Sequence, residues 1–342
     1  MPEVSIVIVC MNRPDILFPC LDSLRDGNQE HILETLVVAY NFSAQNMVAL
    51  SEKYPWVTII PSDGVRGFAE NNNLALRHVK GRYCFVLNDD TIVPPHTIDH
   101  LVQDLRVLPE TAAAITPAIR FADGTLQTCG RDPWSPWRYF KHYLHLVDEG
   151  GVTTPRACPP PDKGRGRGPS ETSSRRGRRL RWEGPEGAKR PKSLGVVTPP
   201  SSVFQTYTLN GACFLIKTEA FKSVGWFDER YFFTPEDIAL GHKLNDMGYT
   251  VWADPSVSIT HLAGGSVSAM EQAIKPARVR GSMIFYGEPF ALKLFIWCFE
   301  ALRYLKHTLF TGNHIMRQTA LNVMRTVFSK LSPKEIFIRF RP

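Results

Sequence analysis

The sequence predicts an α/β fold with a doubly wound, mostly parallel sheet, because short apolar runs alternate with stretches of helical spacing. One of these runs, residues 83–87, ends abruptly at three polar residues, Asn88, Asp89 and Asp90. A strand without polar residues is typical of the buried centre of a parallel sheet. Ligands of such sheets bind beyond the carboxyl ends of the strands, which makes residues 88–90 the first candidate site.

The elements of the amino-terminal half follow one another in a regular order. Asparagines 71–73 open the third helix, where they are expected either to cap it or to face a ligand. Asp123-Gly124 favours a hairpin turn within residues 120–124. Strands are predicted at 4–10, 35–39, 57–60, 83–87 and 112–116, and helices at 16–24, 45–53, 69–79 and 97–108.

The second half adds further strands and a helical tail. Residues 131–150 are rich in Trp, Tyr and His, and both a core position and an acceptor-binding rim fit them. We predict one domain over residues 1–270 and a helical region over 271–342. The predicted elements are a strand within 209–216, helices at 218–224 and 234–247, strands at 250–253 and 257–260, and helices within 289–342.

The net charge of +7 belongs to one segment. Residues 159–192 hold eleven Lys and Arg against four Asp and Glu, so the rest of the chain is balanced. Their richness in Pro, Gly, Arg and Ser predicts a disordered insert at about 158–195. A tether to polyanions or anionic membranes, an insertion without a role and an error in the deduced sequence all fit this segment.

The seven cysteines show no metal-ligand spacing and predict buried thiols in a reducing compartment. We expect no secretion signal, because the first residues lead directly into a strand. No apolar run reaches the roughly 18–20 residues that span a bilayer. We therefore expect a cytoplasmic protein. Residues 290–306 mix apolar and basic residues, and both packing on the domain and peripheral contact with the inner face of the membrane fit them.

A second acidic pair, Glu236-Asp237, follows Thr234-Pro235. Thr as the cap, Pro at the first helical position and acids in the first turn form a common structural pattern. The aromatic residues 226–233 before it favour a pocket instead, in which a carboxylate would take a proton from a hydroxyl. His261 ends an apolar strand, where either a packed histidine or a metal ligand is expected.

Several function classes lack their sequence motifs. No Gly-x-Gly-x-x-Gly follows the first strand, which argues against a dinucleotide-dependent oxidoreductase. The chain also has no Gly-Lys-Ser/Thr phosphate loop and no Gly-x-Ser-x-Gly elbow.

The order of the motifs as a whole resembles the family-2 glycosyltransferases, especially their rhamnosyltransferase-like branch. The resemblance covers about residues 4–270 apart from the basic insert, and its strength lies in the order of six motifs that are individually weak. These motifs are residues 5–13, 67–76, 87–91, 210–216, 225–237 and 261–266.

The resemblance implies a GT-A type fold, a nucleotide-sugar donor and inversion at the anomeric carbon. It implies that Asp90 and His261 hold Mn²⁺ or Mg²⁺ on the donor diphosphate. Asp237 would be the catalytic base, and Glu236 its neighbour that orients the substrate. The implied nucleotide-sugar contacts are Cys10, Asn12, Arg13, Asn41, Asn72, Asn88, Asp89 and Gly211.

Two positions depart from the family pattern. Tyr40-Asn41 stands where Asp-Asn is common, which affects recognition of the base, and Trp226 replaces a common Gly beside the acceptor site. The expected donor is TDP- or UDP-linked, carrying rhamnose or another deoxysugar, and the expected acceptor is a glycan or a lipid-linked glycan. The alternatives are a sugar nucleotidyltransferase on a similar fold and a polyanion-binding protein acting through the insert. No specific nucleic-acid partner is expected, because the insert is poor in aromatic residues.

Overall fold

The computed structural model describes residues 1–27, 29–131, 133, 135–144, 203–262 and 270–341. One sheet of ten strands organises these residues, with the main order β3-β2-β1-β4-β9-β6-β10-β5. β7 pairs with β6, and β8 pairs with β10, beside that path. The strands are β1 (Val4–Cys10), β2 (Ile32–Tyr40), β3 (Val57–Ser62), β4 (Tyr83–Asn88), β5 (Thr91–Ile92), β6 (Ala112–Arg120), β7 (Leu126–Thr128), β8 (Phe204–Thr206), β9 (Cys213–Lys217) and β10 (Thr250–His261).

The first four strands form a parallel half-sheet, as the alternation of strands and helices predicted. β1 lies between β2 and β4, with Cys10 opposite Ala39 and Val9 opposite Asn88. The turns after β1, β2, β3 and β4 consequently meet at one edge of the sheet. β1 and β4 are almost entirely buried, which explains why their sequences contain so few polar residues.

The second half of the sheet is mixed. β9 runs antiparallel to both β4 and β6, and β10 runs parallel to β6. Leu87 pairs with Cys213, so the loop before β9 lies beside the polar end of β4. The α/β fold with a mostly parallel sheet is confirmed.

Helices cover the sheet and continue as a carboxyl-terminal bundle. Amphipathic spacing explains the first helix, whose Leu17, Cys20, Leu21 and Leu24 are buried. The helices are α1 (Pro14–Asp26), α2 (Ala44–Lys53), α3 (Phe68–Leu76), α4 (Thr97–Val107), α5 (Pro136–Tyr143), α6 (Thr218–Ser223), α7 (Glu236–Asp246), α8 (Glu271–Phe285), α9 (Phe290–Lys306), α10 (His314–Thr326) and α11 (Pro333–Phe340), with a π-helical turn at His307–Thr311.

Three local predictions need correction. The two strands expected at 250–253 and 257–260 are one strand, β10, whose register shifts between Asp254 and Ser258. Thr234 does not cap α7: the cap position is Pro235, without a side-chain hydrogen bond, and the helix begins at Glu236. The third helix ends at Leu76, three residues earlier than predicted. The predicted hairpin at 120–124 is present as β6 and β7.

The remaining predictions concern thiols, the insert and membrane spans. The described cysteines are free, and all except Cys298 are buried. The predicted basic insert, 158–195, lies outside the described residues. Among the residues that the structure describes, no helix is both long and apolar enough to cross a bilayer.

Candidate active site

Two asparagines bind the turns at the carboxyl edge of the parallel strands to one another. Asn12 Oδ1 accepts hydrogen bonds from the Ser43 amide at 3.0 Å and from Asn46 Nδ2 at 2.8 Å. Asn41 exchanges two hydrogen bonds with the backbone of Gly64. Both asparagines have φ of 51°, in the left-handed region that Asn tolerates better than most residues. The two predicted nucleotide contacts thus lie in well-ordered turns at this edge.

Cys10 and Asp89 lie side by side beneath this edge. Burial, followed by the charge of Asp89, raises the pKa of the Cys10 thiol, which therefore stays neutral. Burial and the neighbouring Asp90 raise the pKa of Asp89 to about 6, although the Cys10 thiol opposes this shift. Arg13 is more exposed, and its Nη2 lies 2.6 Å from Asp15 Oδ2.

Asp90 and His261 come together although 171 positions separate them. His261 Nε2 lies 3.1 Å from Asp90 Oδ1, and β5 pairs His261 with Thr91. Adjacent ligands of an octahedral ion with bonds of roughly 2.1 Å lie about 3 Å apart, so this pair fits a divalent cation. An imidazole and a carboxylate suit Mn²⁺ in particular.

Gln127, on β7, orients this histidine and was not predicted. Its Oε1 lies 2.9 Å from His261 Nδ1. A hydrogen bond donated by Nδ1–H to this oxygen leaves the lone pair of Nε2 directed toward Asp90, which is the tautomer a metal ligand needs. Only the pairing of β7 with β6 brings Gln127 here, so the sequence carried no signal for it.

A short backbone path connects the end of β4 with the second acidic pair. The Asn88 amide donates to Ala212 O at 2.9 Å. The residue before Ala212, Gly211, donates its amide to Asp237 Oδ2 at 3.0 Å. Residues 88–90, His261 and the acids at 236–237 therefore lie around one region at the edge of the sheet. Gly211 belongs to this region through its backbone.

Asp237 has an unpredicted partner, Arg131. Arg131 Nη1 lies 3.2 Å from Asp237 Oδ2, and both side chains are largely buried. Hydrogen bonds between Thr206 Oγ1 and the backbone of Arg131 hold the arginine in place. Asp237 Oδ1 also accepts the amide of Ile238 at 2.8 Å. Three donors thus hold the Asp237 carboxyl in one orientation.

Glu236 has the opposite environment. It is 5% exposed, and its Oε2 accepts no hydrogen bond from the described part of the chain. Burial, followed by the charge of Asp237, raises the pKa of Glu236 to about 8. At neutral pH Glu236 is therefore mostly protonated.

A cavity of about 140 Å³ adjoins this pair. α5 and α8 form walls of the cavity, so the aromatic segment and the carboxyl-terminal region both contribute to it. Gly281 allows the close approach of α8, because a Cβ there would lie 2.4 Å from Thr234 O. The lining residues are Arg131, Tyr139, His142, Thr234, Pro235, Glu236, Asp237, Ile238, Ser282 and Tyr286.

The aromatic residues before α7 do not line this cavity. Phe227, Tyr231 and Phe232 are buried in the core, where Phe232 packs on Phe337 of α11. Trp226 packs on Phe221 and has φ of 62°, a conformation that glycine adopts without strain. The common Gly is thus explained by the backbone, and Trp226 is not among the residues that line the cavity.

One other predicted contact, Asn72, is placed differently. Asn72 is 1% exposed, and its amide donates to Phe68 O within α3, so the structure does not bring its side chain to the site. Arg66, which was not predicted, lies nearer the donor turns: its amide donates to Tyr40 Oη, and its Nη1 donates to Ser62 Oγ. Arg66 lies in the polar, glycine-containing loop between β3 and α3. The composition of this loop was the feature of the sequence that could have indicated a binding residue there.

Comparisons with known proteins agree with this geometry. The family model described as glycosyl transferase family 2 matches residues 5–158. O-antigen biosynthesis protein RfbC of Myxococcus xanthus is 25% identical over 263 residues, which are 76% of this chain but 17% of that protein. An N-acetylglucosaminyl-diphospho-decaprenol L-rhamnosyltransferase of Mycobacterium tuberculosis is 26% identical over 289 residues, 81% of each chain.

Among solved structures, GalNAc-T7 with UDP, GalNAc and Mn²⁺ aligns with a TM-score of 0.50 at 12% identity, covering 77% of this chain and 44% of that one. The fold is of the GT-A glycosyltransferase type, and the comparisons indicate a nucleotide-sugar glycosyltransferase. The family-2 model covers residues 5–158, and the chain resembles the rhamnosyltransferase-like branch, as its motifs predicted.

Proposed function

We propose that this chain transfers a sugar, rhamnose or another deoxysugar, from a nucleotide donor to an acceptor hydroxyl, with inversion at the anomeric carbon. The observation that carries the proposal is the hydrogen bond from Gly211 to Asp237, next to the backbone bond between Ala212 and Asn88. It connects a candidate donor region with a candidate base. Inversion requires the base and the leaving diphosphate on opposite sides of the sugar.

The donor diphosphate would bind at Asp90 and His261 together with Mn²⁺ or Mg²⁺. Such an ion neutralises negative charge on the departing diphosphate. The 3.1 Å separation of the two side chains supports this assignment. Asn12, Asn41 and the other polar groups of the neighbouring turns would contact the nucleotide, which we expect to be UDP or TDP.

Asp237 would act as the base. The hydrogen bonds from Arg131, Gly211 and Ile238 hold the Asp237 carboxyl in one orientation, as a positioned base requires. Glu236, whose pKa is raised to about 8, would instead donate a hydrogen bond to the acceptor while protonated. The cavity beside both residues would hold the acceptor.

The acceptor would be a lipid-linked glycan. The Mycobacterium tuberculosis relative is named for an N-acetylglucosaminyl-diphospho-decaprenol substrate, which supports this class of acceptor. One face of α9 packs against Tyr139 and Tyr143 of α5, through Leu292 and Ile296. The other face of α9 and the π-helical turn after it expose an apolar surface, called here the α9 surface, which would contact the bilayer. Its residues are Phe290, Leu294, Trp297, Leu302 and Leu305 of α9 and Leu309 and Phe310 of the turn.

The donor assignment can be tested by thermal shift with UDP, TDP and GDP, each with and without Mn²⁺. A ligand that binds the native state raises the melting temperature by mass action. We expect the largest increase with one nucleotide plus Mn²⁺, and loss of the Mn²⁺-dependent part in Asp90→Ala. Transfer to a polyprenyl-diphosphate glycan would then be followed by mass spectrometry. A chain that binds no nucleotide under any of these conditions would refute the proposal.

A further inference from the structure

Three side chains with metal-ligand atoms meet between α4 and β10, and none of them belongs to the site described above. His100 Nε2 lies 3.5 Å from Asp104 Oδ2 and 3.3 Å from Asp254 Oδ2. The three ligand atoms all lie within 4.8 Å of one another. Asp254 occupies the position where the register of β10 against β6 shifts.

The two carboxylates are buried without a compensating charge of their own. Asp254 is fully buried, and its oxygens accept hydrogen bonds only from Ser256 among the described residues. Asp104 is 6% exposed, and its Oδ2 accepts no hydrogen bond from any described residue. Two adjacent buried carboxylates repel each other unless a proton or a cation lies between them.

A divalent cation would interact with both carboxylates at once. His100, whose side chain is 48% exposed, connects the pair to solvent and leaves room for the ion to enter.

The spacing suits a tetrahedral ion. With bonds of about 2.0–2.1 Å, the ligand atoms of tetrahedral Zn²⁺ lie about 3.3–3.4 Å apart. The two distances from His100 match this edge length closely. One imidazole and two carboxylates supply three ligands, and a water molecule would complete the coordination.

We propose that His100, Asp104 and Asp254 form a second metal site, which binds Zn²⁺ or a similar divalent transition-metal ion. The ion would join α4 to the irregular part of β10. The same strand carries His261 seven residues later, so this second site would help to hold a candidate ligand of the donor metal in position.

The test uses the full chain, stripped with a chelator, in a His261→Ala background that removes one ligand of the donor metal. Titration calorimetry with Zn²⁺ should give one site, and adding His100→Ala should weaken the binding at least tenfold. His96→Ala is the matched control, because His96 is exposed and lies four residues before His100. It should bind Zn²⁺ as the background does.

Asp104→Asn in the same background should also weaken Zn²⁺ binding at least tenfold. Zn²⁺ should raise the melting temperature of the His261→Ala protein more than that of the proteins that also carry His100→Ala or Asp104→Asn. Absence of Zn²⁺ binding in the background, or unchanged affinity after His100→Ala, would overturn the proposal. Loss of binding in His96→Ala alone would also overturn it, because the ion would then occupy the neighbouring cavity lined by His31, His96 and Asp99.

Discussion

The Gly211 amide donates a 3.0 Å hydrogen bond to Asp237 Oδ2, which joins the loop before β9 to the first turn of α7. The carbonyl oxygen of the next residue, Ala212, accepts a hydrogen bond from the Asn88 amide. A displacement of α7 would therefore also displace the end of β4. This contact couples the position of the candidate base to that of the candidate donor site.

Asp90→Ala and His261→Ala should each lower transfer by about 10²–10³-fold, since each removes a ligand of the ion that neutralises the leaving group. Initial rates at several Mn²⁺ concentrations would measure the effect, and more Mn²⁺ should be needed for half-maximal rate. Asp26→Ala is the control, because Asp26 is exposed and binds only Arg25 among the described residues. Full activity in Asp90→Ala would contradict the metal assignment.

Substitution of Asp237 should reduce the rate of transfer more than substitution of Glu236. Asp237→Asn should reduce the rate of transfer by about 10²–10⁴-fold with little change in donor binding, because it removes the base. Glu236→Gln keeps a neutral side chain that donates a hydrogen bond, so we expect a loss below about tenfold. Single-turnover rates and donor affinity should be measured together. A larger loss in Glu236→Gln than in Asp237→Asn would reverse the assignment.

The raised pKa of Glu236 should appear in the dependence of stability on pH. In the unfolded chain Glu236 loses its proton near pH 4.5, whereas in the folded chain it keeps the proton to about pH 8. The folded state thus binds more protons between these values, and its contribution to the free energy of unfolding falls as pH rises. Glu236→Gln should gain stability relative to wild type as pH rises from 5 to 8.

Urea unfolding at four pH values in this range would measure that difference. Asp26→Asn serves as the control, because Arg25 lowers the pKa of this exposed carboxyl, so that it does not titrate between pH 5 and 8. A difference between wild type and Glu236→Gln that stays constant with pH would contradict the protonated state of Glu236.

Glu300 should stabilise the packing of α9 on the rest of the chain. It is fully buried, and its Oε1 accepts hydrogen bonds from Tyr143, Lys275 and Arg303. Glu300→Ala leaves two cations without this partner and should cost about 3–5 kcal/mol in the free energy of unfolding. Glu219→Ala, which removes an exposed ion pair, should change it by less than about 1 kcal/mol.

The α9 surface should bind anionic vesicles. Leu309 and Phe310 are 69% and 81% exposed, so the double substitution Leu309→Ser/Phe310→Ser should weaken binding without loss of stability. Flotation with vesicles of phosphatidylglycerol would measure the bound fraction. Leu33→Ser, at an exposed position on β2, is the control. Equal flotation of the double variant and wild type would exclude this surface as the contact.

Much of the architecture follows from local patterns. The alternation of apolar runs and helical spacing predicts the parallel half-sheet, because each strand is buried on both faces and each helix on one. The abrupt end of β4 at Asn88 predicts the ligand-binding edge, because ligands of parallel sheets bind beyond the carboxyl ends of the strands. The order of the motifs was sufficient to indicate the resemblance to the family-2 glycosyltransferases, and the roles that it implies for Asp90, His261 and Asp237 remain predictions.

What only the tertiary structure decided depends on contacts between distant residues. Arg131 reaches Asp237 over 106 positions, and Gln127 reaches His261 over 134, through strands whose pairing is not encoded by spacing. The same applies to burial, which raises the pKa of Glu236. Local sequence determines which face of an element is apolar, whereas the charge state of a carboxyl group depends on all of the groups that folding brings around it.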